Sequence, residues 1–139
     1  MTHHCSTLLI RCMDFRLEKG IHYGFLEPQG LCGDADILSI AGAAKDLADA
    51  NSAKHVMLME HVALSQKLHK TSRVILMNHT DCSAYGGSAA FPDVQSERRV
   101  HEKDLKEAEV VLRKAFPGLH VESYLAVLQE NGDIDFQRV

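Results

Sequence analysis

The chain has 139 residues, which at roughly 150 residues per domain makes residues 1–139 one compact unit able to bury its own core. Hydrophobic residues make up 45% and charged residues 24%, ordinary globular proportions that exclude a disordered, collagenous or coiled-coil chain. Fifteen Lys and Arg against nineteen Asp and Glu leave a net charge of -4, without the basic excess that a nucleic-acid partner requires.

Thr7 to Cys12 is an apolar run with no room for a helix before Asp14, and reads as a buried strand. Leu17 to Leu26 predicts a short helix, weakened by Gly20 and Gly24 and stopped by Glu27-Pro28-Gln29-Gly30. Asp36 to Ala41 predicts a second strand, after which Gly42 turns the backbone into the helix-prone Ala43 to Ala48. Between Ala53 and Lys70, the residues Met57, His61, Leu64 and Leu68 fall on one helical stripe, expected to face the sheet. Arg73 to Asn78 is a third strand, continuously apolar at Val74-Ile75-Leu76-Met77 as a strand covered on both faces would be. Gly86-Gly87 to Pro92 is loop, and Leu105, Ala108, Leu112 and Ala115 mark an amphipathic helix with a solvated charged face, running to Pro117-Gly118. Val121 to Leu128 is a fourth strand, and Asn131-Gly132 predicts a tight hairpin turn returning Ile134 to Val139 as an antiparallel edge strand.

Strands alternating with helices predict an α/β fold: a mostly parallel sheet of order 2-1-3-4-5 with helices on both faces. In such a sheet the ligand crevice opens where strand order reverses, between the carboxyl ends of strands one and three. The start, Met1-Thr2-His3-His4-Cys5-Ser6, lacks a leader pattern, and no run of about 18 apolar residues occurs, so the expectation is a soluble cytoplasmic protein without a membrane partner. The cysteines at 5, 12, 32 and 82 form no Cys-x-x-Cys pair and are expected as reduced thiols.

Strand one ends in Cys12-Met13-Asp14-Phe15-Arg16, and side-chain alternation lets Cys12, Asp14 and Arg16 project to one side. Strand three ends in His79-Thr80-Asp81-Cys82, a His-x-x-Cys spacing that lets an imidazole and a thiolate reach one ion. Two thiolates and an imidazole form a soft set that favours zinc, and three protein ligands leave the fourth tetrahedral position open for catalysis.

Cys12-x-Asp14-x-Arg16 followed about seventy residues later by His79-x-x-Cys82 resembles the β-class carbonic anhydrases. Gly33 to Gly42 looks like that family's Gly-Asp strand, which ends in Arg-Asn-Ala-Gly, so the resemblance covers most of Leu8 to Gly87. It implies one zinc per chain held by Cys12, His79 and Cys82, an Asp14–Arg16 pair beside it, and a homodimer or dimer-based oligomer. The implied activity is reversible hydration of carbon dioxide to bicarbonate, a lyase reaction with zinc hydroxide as nucleophile. Because two thiolates cancel the zinc's charge, the surroundings must help acidify the bound water. Asp14 can accept its hydrogen bond, while Arg16 holds Asp14 off the metal. His22, Tyr23, Asp34, Asp81 and Tyr85 are candidate relay or pocket groups by polarity.

The sequence departs from the family pattern at Ser39-Ile40, in place of Arg-Asn, and at Ser83, in place of Gly. Three other functions therefore stand beside hydration: a carbonyl sulfide or carbon disulfide hydrolase on the same site, a zinc protein of this fold without turnover, and a thiol hydrolase pairing Cys12 or Cys82 with His79. Cys5 and Cys32 read as structural, and His3-His4-Cys5 as a frayed terminus that seldom builds a metal site.

Overall fold

The computed structural model describes residues 3–139; Met1 and Thr2, part of the stretch read above for a leader, lie outside the described residues. Five strands, β1 (Thr7–Arg11), β2 (Ala35–Ser39), β3 (Arg73–His79), β4 (His120–Leu128) and β5 (Ile134–Arg138), form one sheet of order β2-β1-β3-β4-β5. The first four are mutually parallel and β5 is antiparallel to β4. Both the order and the antiparallel edge are those expected from the sequence.

The helices are α1 (Glu18–Ile21), α2 (Lys45–Ala48), α3 (His55–His69) and α4 (Val94–Ala115). The expected helix over Leu17 to Leu26 is a composite: a 3-10 turn at Phe15–Leu17, the short α1, a π turn at His22–Leu26 and a further 3-10 turn at Glu27–Gln29. Gly20 and Gly24 weaken regular helix there, and both lie against β5, with an added Cβ on Gly20 falling 2.6 Å from Ile134 Cδ1.

All five residues of β1 are buried, because successive side chains enter two different cores. Leu8 and Ile10 join Val74, Leu76 and residues of α2, α3 and α4, whereas Leu9 joins Ile75, Met77 and the segment carrying Leu17, Ile21 and Phe25. Helical layers thus cover both faces, and each fully buried aliphatic contributes about 1.5–3 kcal/mol. That explains the continuous apolar runs of β1 and β3.

Three expectations need correction. On α3 the buried residues are Leu58, Val62 and Ser65, while Leu64 and Leu68 are exposed. The helix carries apolar residues on two sides, so spacing alone did not identify the buried one. On α4 the buried stripe continues backward from Leu105 to His101 and Glu97, and Ala115 is exposed in the last turn. The β4–β5 connection is a five-residue loop, 129–133, closed by Gln129 N–H to Asp133 O at 2.8 Å, with Gly132 at φ +90°. It is longer than the two-residue turn that Asn131-Gly132 suggests. No helix among the described residues is long and apolar enough to cross a membrane.

Candidate metal centre

β1 and β3 run side by side with Arg11 opposite Met77, so the residues just beyond them emerge at the same end of the sheet. There the structure brings together Cys12, His79 and Cys82: one ligand-capable atom of each lies within 4.8 Å of the others, and all three residues are buried. The turn linking His79 to Cys82 passes through Asp81 at φ +56°, a left-handed conformation that Asp tolerates better than most residues. A buried carboxylate from α4 holds it, as Glu97 Oε2 accepts the Asp81 N–H at 2.8 Å and the Ser88 hydroxyl at 3.0 Å. Backbone N–H groups of Tyr85 and Gly87 close on the Cys82 carbonyl at 3.0 and 2.9 Å.

The donor set fits a zinc-class ion on three counts. Cys12 and Cys82 are free thiols with sulfurs 3.9 Å apart. Two sulfurs at about 2.3 Å from one tetrahedral ion stand about 3.8 Å apart, whereas a disulfide would need about 2 Å. His79 Nδ1 donates to the Thr80 carbonyl at 2.7 Å, because a carbonyl can only accept. The proton is thereby fixed on Nδ1 and the lone pair left on Nε2. Finally, His79 Nε2 is buried without a hydrogen-bond partner. An orphaned buried acceptor costs about 1–3 kcal/mol, which a cation at that point would offset.

The thiols polarise one another. A hydrogen bond from Cys82, aided by the backbone N–H groups of Gly42 and Asp14, pulls Cys12 well below the usual thiol range despite burial. The same contact, with burial, pushes Cys82 up. A cation reaching both sulfurs would favour both thiolates and release the remaining proton.

Asp14 stands at the rim of this cluster, with Oδ2 3.8 Å from His79 Nε2, too far for a hydrogen bond. Arg16 grips its carboxylate, Nε to Oδ1 at 3.1 Å and NH2 to Oδ2 at 2.7 Å. These bonds outweigh burial and hold Asp14 at about 2, so it is ionised at neutral pH. Arg16 is itself fixed from the other side by Asp81, NH1 to Oδ2 at 3.0 Å and NH2 to the carbonyl at 2.9 Å.

A cavity of about 720 Å³ opens over the cluster, with Met13, Phe15, Ala41 and Ala84 as apolar wall and Asp14, Arg16 and Asp81 as polar wall. Ser39 and Ile40 do not line it; Ile40 packs against the core beneath α2 to α4. Ser83 does line it. Of the relay candidates, Asp81 belongs to the site, and Tyr85 is tied to Asp104 and Asn78 at 2.7 and 3.1 Å. His22 and Tyr23 are exposed on the segment after β1, and Asp34 lies at the opposite end of the sheet, bonded to Ser6.

Sequence reasoning missed three supporting residues. Arg11 is buried and clamps the loop after β1, donating to the carbonyls of Cys12 at 2.9 Å and Asp14 at 3.3 Å. Glu97 and His101 are buried on α4, where His101 Nδ1 accepts from Asn78 Nδ2 at 3.1 Å. A signal for both existed, because stepping back by four from Leu105 reaches His101 and then Glu97.

Residues 2–133 match a family model whose description reads "Putative carbonic anhydrase". An uncharacterized protein of Rickettsia bellii (strain RML369-C) is 29% identical over 127 residues, 88% of this chain and 77% of the relative. Among solved structures, the β-carbonic anhydrase CafA of the fungal pathogen Aspergillus fumigatus superposes with a TM-score of 0.66 at 16% identity, covering 96% of this chain and 75% of the other. One of two tetrameric β-carbonic anhydrases from Sordaria macrospora gives a TM-score of 0.59 at 16% identity, covering 95% and 80%. Matched along nearly its whole length, the chain belongs to the family described as putative carbonic anhydrase, and it has the fold of those fungal β-carbonic anhydrases.

Proposed function

We propose that this chain catalyses the reversible hydration of carbon dioxide to bicarbonate, with one zinc ion held by Cys12, His79 and Cys82. The observation that carries the reading is the convergence, beneath a cavity that both sulfurs' residues line, of two free thiols and an orphaned imidazole nitrogen. Zinc bound there would supply the Lewis acidity that makes water nucleophilic near neutral pH. The remaining roles fall to the chain. Thr80 O orients the His79 ring through Nδ1. Asp14, ionised and held by Arg16, offers Oδ2 as hydrogen-bond acceptor for a water beside His79 Nε2 and fixes the direction of its lone pair. Met13, Phe15, Ala41 and Ala84 give a nonpolar linear substrate an apolar wall, and Arg16 supplies positive charge where the bicarbonate anion forms.

We further propose a cytoplasmic homodimer or dimer-based oligomer. The exposed Met13 and Phe15 at the cavity rim, 64% and 86% accessible, and the tetrameric state named for the Sordaria proteins support assembly.

Stopped-flow hydration on zinc-loaded protein tests the reading. Cys82→Ser is expected to lose the zinc of this centre and activity together, and Asp14→Ala to lose activity while keeping that zinc. Zinc retained without hydration in the wild type would instead mark a binding protein, and turnover of carbonyl sulfide alone would reassign the substrate.

A further inference from the structure

At the amino ends of the strands, opposite the centre just described, Cys5, Asp36 and His69 converge from three separate segments. One donor atom of each lies within 4.8 Å of the other two. We propose that these three residues form a second site for a divalent transition metal of the zinc and cobalt class.

The amino-terminal arm is not frayed at this point. Cys5 N–H donates to the His69 carbonyl at 3.0 Å, and Ser6 is tied through N–H and hydroxyl to Asp34 at 3.0 and 2.7 Å. His69 is placed by the end of α3, where Lys70 adopts a left-handed conformation at φ +61°. Its Nδ1–H donates to the Asp36 carboxylate, 2.8 Å from both oxygens, and an ion bound at Nδ1 would displace that proton. Behind Asp36 stand two buried hydroxyls, Ser65 donating to Oδ2 at 2.7 Å and Thr71 2.9 Å from Ser65. Such outer hydrogen bonds are what orient a ligating carboxylate.

One sulfur, one imidazole and one carboxylate suit zinc, cobalt or nickel, not the all-oxygen shells of magnesium or calcium. A cavity of about 270 Å³ is lined in part by Asp36, Ser65 and His69, and so reaches two of the three donors from solvent. Holding the arm, β2 and α3 together, this ion would act on stability rather than on turnover.

Equilibrium dialysis of the metal-free full-length protein against cobalt(II) chloride, with metal analysis, tests the site. The expected stoichiometry is two cobalt per chain in the wild type and one in each of Cys5→Ser, His69→Ala and Cys82→Ser. Cobalt should raise the melting temperature of Cys82→Ser and lose that effect in the Cys5→Ser/Cys82→Ser double variant. One cobalt in the wild type, two retained in Cys5→Ser, or no cobalt in a folded Cys82→Ser would overturn the proposal. Should His69→Ala fail to fold, the two cysteine variants carry the test alone.

Discussion

Arg16 is held by Asp81 through a side-chain and a backbone contact, NH1 to Oδ2 at 3.0 Å and NH2 to the carbonyl at 2.9 Å, while its other edge grips Asp14. The turn between two proposed ligands, His79 and Cys82, therefore sets the position of the acid beside them. Arg16→Ala should free Asp14 to approach the ion, lowering hydration about 10- to 100-fold with zinc content unchanged. Arg16→Lys should recover only part, since a lysine lacks the fork that spans both partners. Stopped-flow assays with metal analysis check this, and unchanged hydration in Arg16→Ala would remove the gatekeeper role.

Glu97 accepts from the Asp81 backbone and the Ser88 hydroxyl while buried. Glu97→Ala leaves the Asp81 N–H without that acceptor and should destabilise the metal-free protein by about 1–3 kcal/mol. It should also weaken zinc binding about 10-fold or more, through the loosened turn. Urea unfolding and competition with a zinc chelator measure the two effects separately.

His101 is fully buried, and desolvation, the largest influence on it, holds it down at about 4. The unfolded chain binds this proton below about 6.5, the folded chain only below about 4, so stability falls as pH drops through that window. The loss should be on the order of 3 kcal/mol in metal-free protein and should level off below pH 4. Urea midpoints between pH 7 and pH 4 for wild type and His101→Gln check it; the same slope in both would remove His101 as the cause.

Gly42 adopts φ +83°, and a Cβ there would sit 3.2 Å from the Cβ of Ala84, two residues after Cys82. Gly42→Ala should therefore cost about 1 kcal/mol or more from the backbone alone and press on the loop that carries Cys82. A thermal melt lowered by several degrees would agree, and an unchanged melt would not.

The fold was legible where burial leaves a one-dimensional trace. Strands β1 and β3 are buried on both faces and read as unbroken apolar runs, and their alternation with helices gave the strand order. The buried face of α3 left no such trace, because Leu64 and Leu68 repeat as regularly as Leu58 and Val62. At the site, Cys12, Asp14 and Arg16 share one short segment, as do His79 and Cys82, so local spacing singled them out. Glu97 acts across 16 positions on a helix rich in charge, where a buried carboxylate looks like one more solvated residue until the turn it holds is seen. Cys5 reads as part of a frayed terminus, and its backbone bond to His69 and the bonds of Ser6 to Asp34 show that the arm is anchored.

The most direct measurement is zinc-edge X-ray absorption on the zinc-loaded Cys5→Ser variant, which leaves Cys12, His79 and Cys82 as the thiol and imidazole donors of the proposed catalytic centre. A first shell of two sulfurs at about 2.3 Å with nitrogen and oxygen neighbours at about 2.0–2.1 Å is the expected result. A shell with fewer than two sulfurs would contradict the account.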